Sequence, residues 1–116
     1  MACPLFLPSS RLAGTPYFEG FCAADPLVPV PGDTLRTCCN RGYARNLCGR
    51  AAETDADAFQ FLVKARTFAG VEVAWSIERN HHPFAVGTLL LTGSHPESME
   101  PLERQALAAA TTLLRP

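Results

Sequence analysis

No apolar run in these 116 residues approaches the ~20 needed for a helical membrane span. Nor does the chain carry a Walker loop, a G-x-G-x-x-G turn or a G-x-S-x-G elbow, so the common nucleotide-binding and hydrolase signatures are missing. Charge is scarce: 18% of residues are charged and the net charge is −1, which gives no global drive toward nucleic acid or a membrane surface. The first residues, MACPLFLPSSRLAG, lack a basic n-region and a continuous apolar h-region, so a signal peptide is not read there and a cytoplasmic setting is expected. Cysteine is absent from the last 68 residues, and no C-x2-C occurs anywhere.

What the second half lacks, the first half holds. Five cysteines, Cys3, Cys22, Cys38, Cys39 and Cys48, fall within the first 48 residues in the pattern C-x18-C-x15-CC-x8-C. Thiols segregated in this way point to one shared role, which is to hold a metal, to hold a cluster or to form disulfides. A reducing compartment and an odd count both weigh against disulfides. Between Pro31 and Arg50 stand Arg36, Arg41, Arg45 and Arg50 against the single acid Asp33, a local balance of +3. Such a shell is expected to lower thiol pKa values and favour the thiolates that bind metal.

Two cofactors fit the thiols. Zinc needs four ligands in a tetrahedron, and small zinc domains usually supply them from C-x2-C knuckles. Here the site would be four cysteines, or three with His81 or His82. An iron–sulfur cubane spreads its ligands over four corners, which tolerates long irregular spacings and lets adjacent Cys38 and Cys39 reach different corners. The tandem Cys38-Cys39 resembles the paired cysteines in the cluster-carrying small subunit of respiratory NADH–quinone oxidoreductase and those of the CCG domains in heterodisulfide reductases. Cys3-Pro4 resembles the C-P ending of bacterial ferredoxin motifs. These likenesses imply a [4Fe–4S] cluster. Cys22, Cys38, Cys39 and Cys48 form the most compact quartet, with Cys3 as the substitute ligand, and Arg41, Tyr43 and Arg45 are the expected hydrogen-bond donors to sulfur.

The function expected is therefore a small metal-binding protein, holding an iron–sulfur cluster for electron transfer or for redox or iron sensing. The alternative is a zinc-stapled interaction module. Enzymatic activity is not expected, although a thiol enzyme stands as a third class. A protein partner is expected, while nucleic acid and membrane are not.

The fold class expected is α+β within one domain over 1–116. Six of the ten prolines lie in residues 1–32, which predicts an irregular extended arm anchored by Phe6, Tyr17, Phe18 and Phe21. Residues 1–50 would form this arm and a cysteine subdomain, with a short helix capped by Asp33 and ended by Gly42, then a second turn over 45–48. Residues 51–116 would form a three-stranded antiparallel meander and a helix. Val71, Val73, Trp75 and Ile77 alternate with a period of two, and 84–92 is a second strand beyond an Asn80–Pro83 loop. Ala58–Arg66 reads as strand in preference to helix, because Phe59 and Val63 would fall off a helix's buried face. From about Met99 to Leu114, with Ser98 as cap, Leu102, Ala106, Ala109, Ala110, Leu113 and Leu114 make one helical apolar stripe.

Overall fold

The computed structural model describes residues 2–92 and 100–114, with side chains of the C-terminal helix described as far as Ala110. Ser98 and Met99, the expected cap and start of that helix, lie outside the described residues. The chain is α+β, with two three-stranded antiparallel sheets, a C-terminal helix and a few short helical turns.

The second half follows its sequence pattern. Strands β4 (Ala58–Thr67), β5 (Gly70–Arg79) and β6 (His82–Leu91) pair in that order as a meander, with Phe61 opposite Trp75 and Trp75 opposite Gly87. Residues 58–66 are strand, as their alternation predicts. The β5–β6 connection is tighter than expected: Asn80 and His81 alone make the turn, at φ 52° and 66°. Positive φ at both central residues is what a two-residue hairpin of matching twist requires.

Alternation gives this sheet one buried face. Val71, Val73 and Leu91 pack there against Ala106 and Ala110 of the C-terminal helix, α2 (Pro101–Leu114). Small alanines let the helix approach closely, and each large aliphatic buried contributes ~1.5–3 kcal/mol. Of the expected stripe, Ala109 is exposed, while Gln105 is buried in the same helix.

The N-terminal half corrects the expectation of an irregular arm. Strands β1 (Phe6–Arg11), β2 (Phe18–Cys22) and β3 (Asp25–Pro29) form a second antiparallel sheet in the order β1-β2-β3. The prolines are placed where a sheet tolerates them. The central strand β2 has none; Pro8 lies at a register shift in β1, and Pro26 and Pro29 lie in the edge strand β3. Proline removes a ladder donor, which is harmful only in the middle of a sheet. Phe6 is buried, and it packs with Cys3, Leu35, Cys38, Cys39, Ala44 and Ala51 in a core of its own. Helix α2 reaches this sheet as well: Gln105 Nε2 donates to the carbonyls of Cys3 (2.8 Å) and Phe6 (2.9 Å).

Candidate metal centre

The tandem cysteines sit on an unusual turn. After Pro31 in an extended conformation, α1 (Gly32–Thr34) opens a helical segment that widens into a π-helical turn over Leu35–Cys39. Asp33 does not cap it; its carboxylate instead accepts a hydrogen bond from Arg36 at 3.0 Å. The wider turn is closed by Asn40, whose N–H donates to the carbonyl of Leu35, five residues back, at 3.0 Å. The Asn40 side chain fastens the turn to β2: its Nδ2 donates to the carbonyls of Phe18 and Leu35, and its Oδ1 accepts from the N–H of Phe18, all at 2.9 Å. Single π turns inside helices recur at functional sites. Here the turn buries both Cys38 and Cys39.

The other thiols arrive from separate elements. Cys22 ends β2, and Cys3 precedes β1, its N–H donating to the carbonyl of Cys39 at 3.0 Å. Cys48 closes a tight turn, its N–H donating to the carbonyl of Ala44 at 2.8 Å. All five are free thiols, four of them buried and Cys48 half-buried. All five line one cavity of about 530 Å³. Each thiol singled out in the sequence therefore borders the same space.

Glycine at position 42 permits this arrangement. Gly42 does not directly end the helical run, which stops at Cys39 and is capped by Asn40. It lies beyond, at φ +73°, with its N–H donating to the carbonyl of Cys38 at 2.9 Å. A Cβ there would stand 2.6 Å from the Cβ of Ala58. The loop thus lies directly on β4.

Arg41, Tyr43 and Arg45 take other places than those expected. None lines the thiol cavity. Arg41 is exposed. The Tyr43 hydroxyl donates to Glu78 Oε1 at 2.7 Å and accepts from the N–H of His81 at 3.0 Å, while its ring stacks on His81 at 4.3 Å. Arg45 Nε donates to Asp57 Oδ1 at 2.5 Å, and its Nη2 donates to the carbonyl of Thr54 at 2.6 Å. Acids distant in sequence capture Tyr43 and Arg45, whose role is to tie the cysteine loop to the β4–β6 sheet. The N–H of Asn80 donates to Asp57 Oδ2 at 2.8 Å; this bond first, and Arg45 second, hold the Asp57 carboxyl below its usual range. His81 is spent at the Tyr43 stack, and His82 is exposed at the start of β6, so neither borders the thiols.

The arginine at the thiols is Arg50. It lines the cavity and pairs with Asp25 at 3.7 Å, and its neighbour Cys22 is the first cause that raises its pKa, ahead of Asp25. In the sequence it is one of four similar arginines, and only the return of β2 and β3 beside it marks it out. The expected lowering of thiol pKa values is reversed at two positions. Burial pushes the Cys39 thiol up to about 12, and Cys3, Cys22, Cys38 and Cys48 push the same way. Burial also raises Cys3, against a backbone hydrogen bond at Leu5 and together with Cys22, Cys48 and Cys38. Burial disfavours the thiolate at both positions, and the neighbouring thiols add to it.

Among the described residues, no three His, Cys, Asp or Glu side chains converge as ligands of a single metal ion. Also among the described residues, no helix is long and apolar enough to cross a membrane. No family model, curated protein or solved structure matches this chain.

Proposed function

We propose that this chain holds a [4Fe–4S] cluster in the five-cysteine cavity and acts in electron transfer or in redox or iron sensing. The observation that carries the reading is the shared cavity. Thiols 19, 16, 1 and 9 residues apart in sequence come from four separate segments to border about 530 Å³. A cubane needs thiolates distributed around a polyatomic core, whereas a single zinc ion needs four donors drawn together at ~2.3 Å from one point. The donor set is all sulfur, which suits iron–sulfur chemistry.

Cys22, Cys38, Cys39 and Cys48 would hold the cluster, with Cys3 as the fifth thiol in reach of the same space. When bound, such a group supplies one-electron exchange. The chain's own residues do the rest. Burial keeps water from Cys3, Cys38 and Cys39, and Arg50 brings a positive charge to the cavity beside Cys22, which would stabilise added negative charge and raise a potential. Thiols that resist ionising together give up their protons when a positively charged group binds, so loading releases protons. Leu27, Val28 and Leu47 are exposed, and Val28 and Leu47 border the cavity, which offers an apolar rim to a protein partner. The reading puts the protein in the cytoplasm, where free thiols persist.

Anaerobic reconstitution of the full chain with ferrous iron and sulfide tests it. The expected product has broad visible absorbance that bleaches with dithionite and is lost in Cys48→Ser. A chain that stays colourless but takes up one zinc would replace this reading with that of a zinc-stapled module.

A further inference from the structure

The edge of a sheet presents unpaired N–H and C=O groups that invite another strand, and folds blunt such edges with charge, proline, bulges or cover. The two sheets here have four edge strands, β1, β3, β4 and β6, and three of them are blunted. β1 carries Pro8 at its register shift and packs against α2, where Arg104 Nη2 donates to the carbonyl of Pro8 at 3.0 Å. β3 is five residues long and contains Pro26 and Pro29. β4 carries Lys64 and Arg66 and a register shift between Val63 and Ala65. At its start Ala2 and Phe59 exchange backbone bonds of 2.9 and 2.8 Å. β6 is different: it has ten residues and no Lys, Arg, Asp or Glu. Pro83 and the register shift opposite Glu78 lie at its hairpin end, which leaves 84–91 regular. Along that stretch Phe84, Val86, Thr88 and Leu90 are exposed, Val86 by 70%, while Leu89 and Leu91 turn toward α2. Among the described residues, no strand pairs with the outer edge of β6.

We infer that β6 is a homodimer interface, pairing antiparallel with β6 of a second copy to join two three-stranded sheets into one of six strands. The strand offers no charge by which a foreign partner could be selected, and nothing on it repels an identical strand. An antiparallel pair of identical strands is related by a two-fold axis, the commonest symmetry of oligomers, and it closes at two copies. Centred at Gly87, the pairing sets Phe84 opposite Leu90 of the second copy and Val86 opposite Thr88, all on one face. Cross-strand pairs of aromatic, aliphatic and β-branched side chains stabilise a sheet. A slip of one residue would send the two apolar rows to opposite faces, so the row itself specifies the register. Eight residues at ~3.4 Å each give a contact about 27 Å long and one strand deep. That is smaller than a standard interface of ~800 Å² per partner, so association in the micromolar range is expected. The interface uses no thiol and stands independently of the cluster reading.

Sedimentation equilibrium of the full chain tests this, in reducing buffer so that disulfide-linked pairs do not form. The 12.5 kDa chain is expected to approach twice that mass as its concentration rises through the micromolar range, and to stop there. Val86→Lys puts a charge on an exposed mid-strand position and is expected to weaken dimerisation at least about tenfold with circular dichroism unchanged. Thr88→Lys, on the same edge and face, repeats the test if Val86→Lys does not fold. Leu62→Lys is the control. Leu62 is 67% exposed and lies in the same cross-strand row as Ala74 and Thr88, but on β4, so its replacement is expected to leave the dimer intact. A chain that stays monomeric at several hundred micromolar overturns the inference and leaves β6 to the strand of a different protein. Growth beyond the dimer, unchanged dimerisation in both Val86→Lys and Thr88→Lys, or loss of the dimer in Leu62→Lys, as face-to-face packing would give, overturns it equally.

Discussion

Replacing Gly42 with alanine tests whether the cysteine loop is held where the structure puts it. Two costs add. At φ +73° an alanine pays the left-handed penalty of ~1–2 kcal/mol. Its Cβ would also meet Ala58 Cβ at 2.6 Å and the carbonyl oxygen of Asp57 at 3.1 Å. Neither neighbour is the end of a flexible side chain, so β4 or the loop must shift, at ~1–3 kcal/mol for overpacking. The expected loss is about 2–5 kcal/mol, a large part of the roughly 5–15 kcal/mol that such a domain has. Urea unfolding of the metal-free protein, followed by Trp75 fluorescence, reads it as a lower midpoint with the slope retained. Gly49→Ala is the control, because a Cβ there meets nothing within 4 Å; it should move stability by no more than about 0.5 kcal/mol. Equal midpoints for the two variants would refute the placement of the loop against β4.

Three further outcomes follow from the same contacts. Asp57→Asn should cost about 2 kcal/mol at neutral pH by removing the charge that meets Arg45 and the N–H of Asn80. Asp57 has a folded pKa below its ordinary 3.8, so its contribution is present above that value and lost as pH falls through the folded one; the wild-type advantage in urea should vanish along that limb. Cys39 has the opposite sign: raised from 9.0 to about 12, it makes the metal-free chain lose stability as pH climbs between those values, and Cys39→Ala should flatten that alkaline loss. In the reconstituted protein, Arg50→Gln should keep the iron content and lower the midpoint potential measured by dye-mediated titration, whereas an unchanged potential would remove Arg50 from contact with the cluster.

The meander was legible because its signal is local. Val71, Val73, Trp75 and Ile77 alternate without interruption, and Phe59, Phe61 and Val63 continue that period on β4, which pairs with β5 along its length. The first sheet was hidden because proline is read as a breaker until its position in the sheet is known. Pro26 and Pro29 are harmless only because β3 is an edge, and strand order is a property of pairing between distant residues. The gathering of the thiols could be anticipated from their segregation alone. Their surroundings could not, since Tyr43 and Arg45 answer to Glu78 and Asp57, which lie 35 and 12 residues away in sequence. Gln105 was equally silent: a polar residue in an alanine-rich helix looks solvent-facing until the two carbonyls of the β1 approach are laid beside it.

The most direct measurement of the central claim is metal and acid-labile sulfide content of the full chain purified without oxygen. The account predicts about four iron and four sulfide per chain, as expected of a cubane, with zinc at trace level. One zinc per chain without sulfide, or no metal with all the cysteines titrating as free thiols, would contradict it.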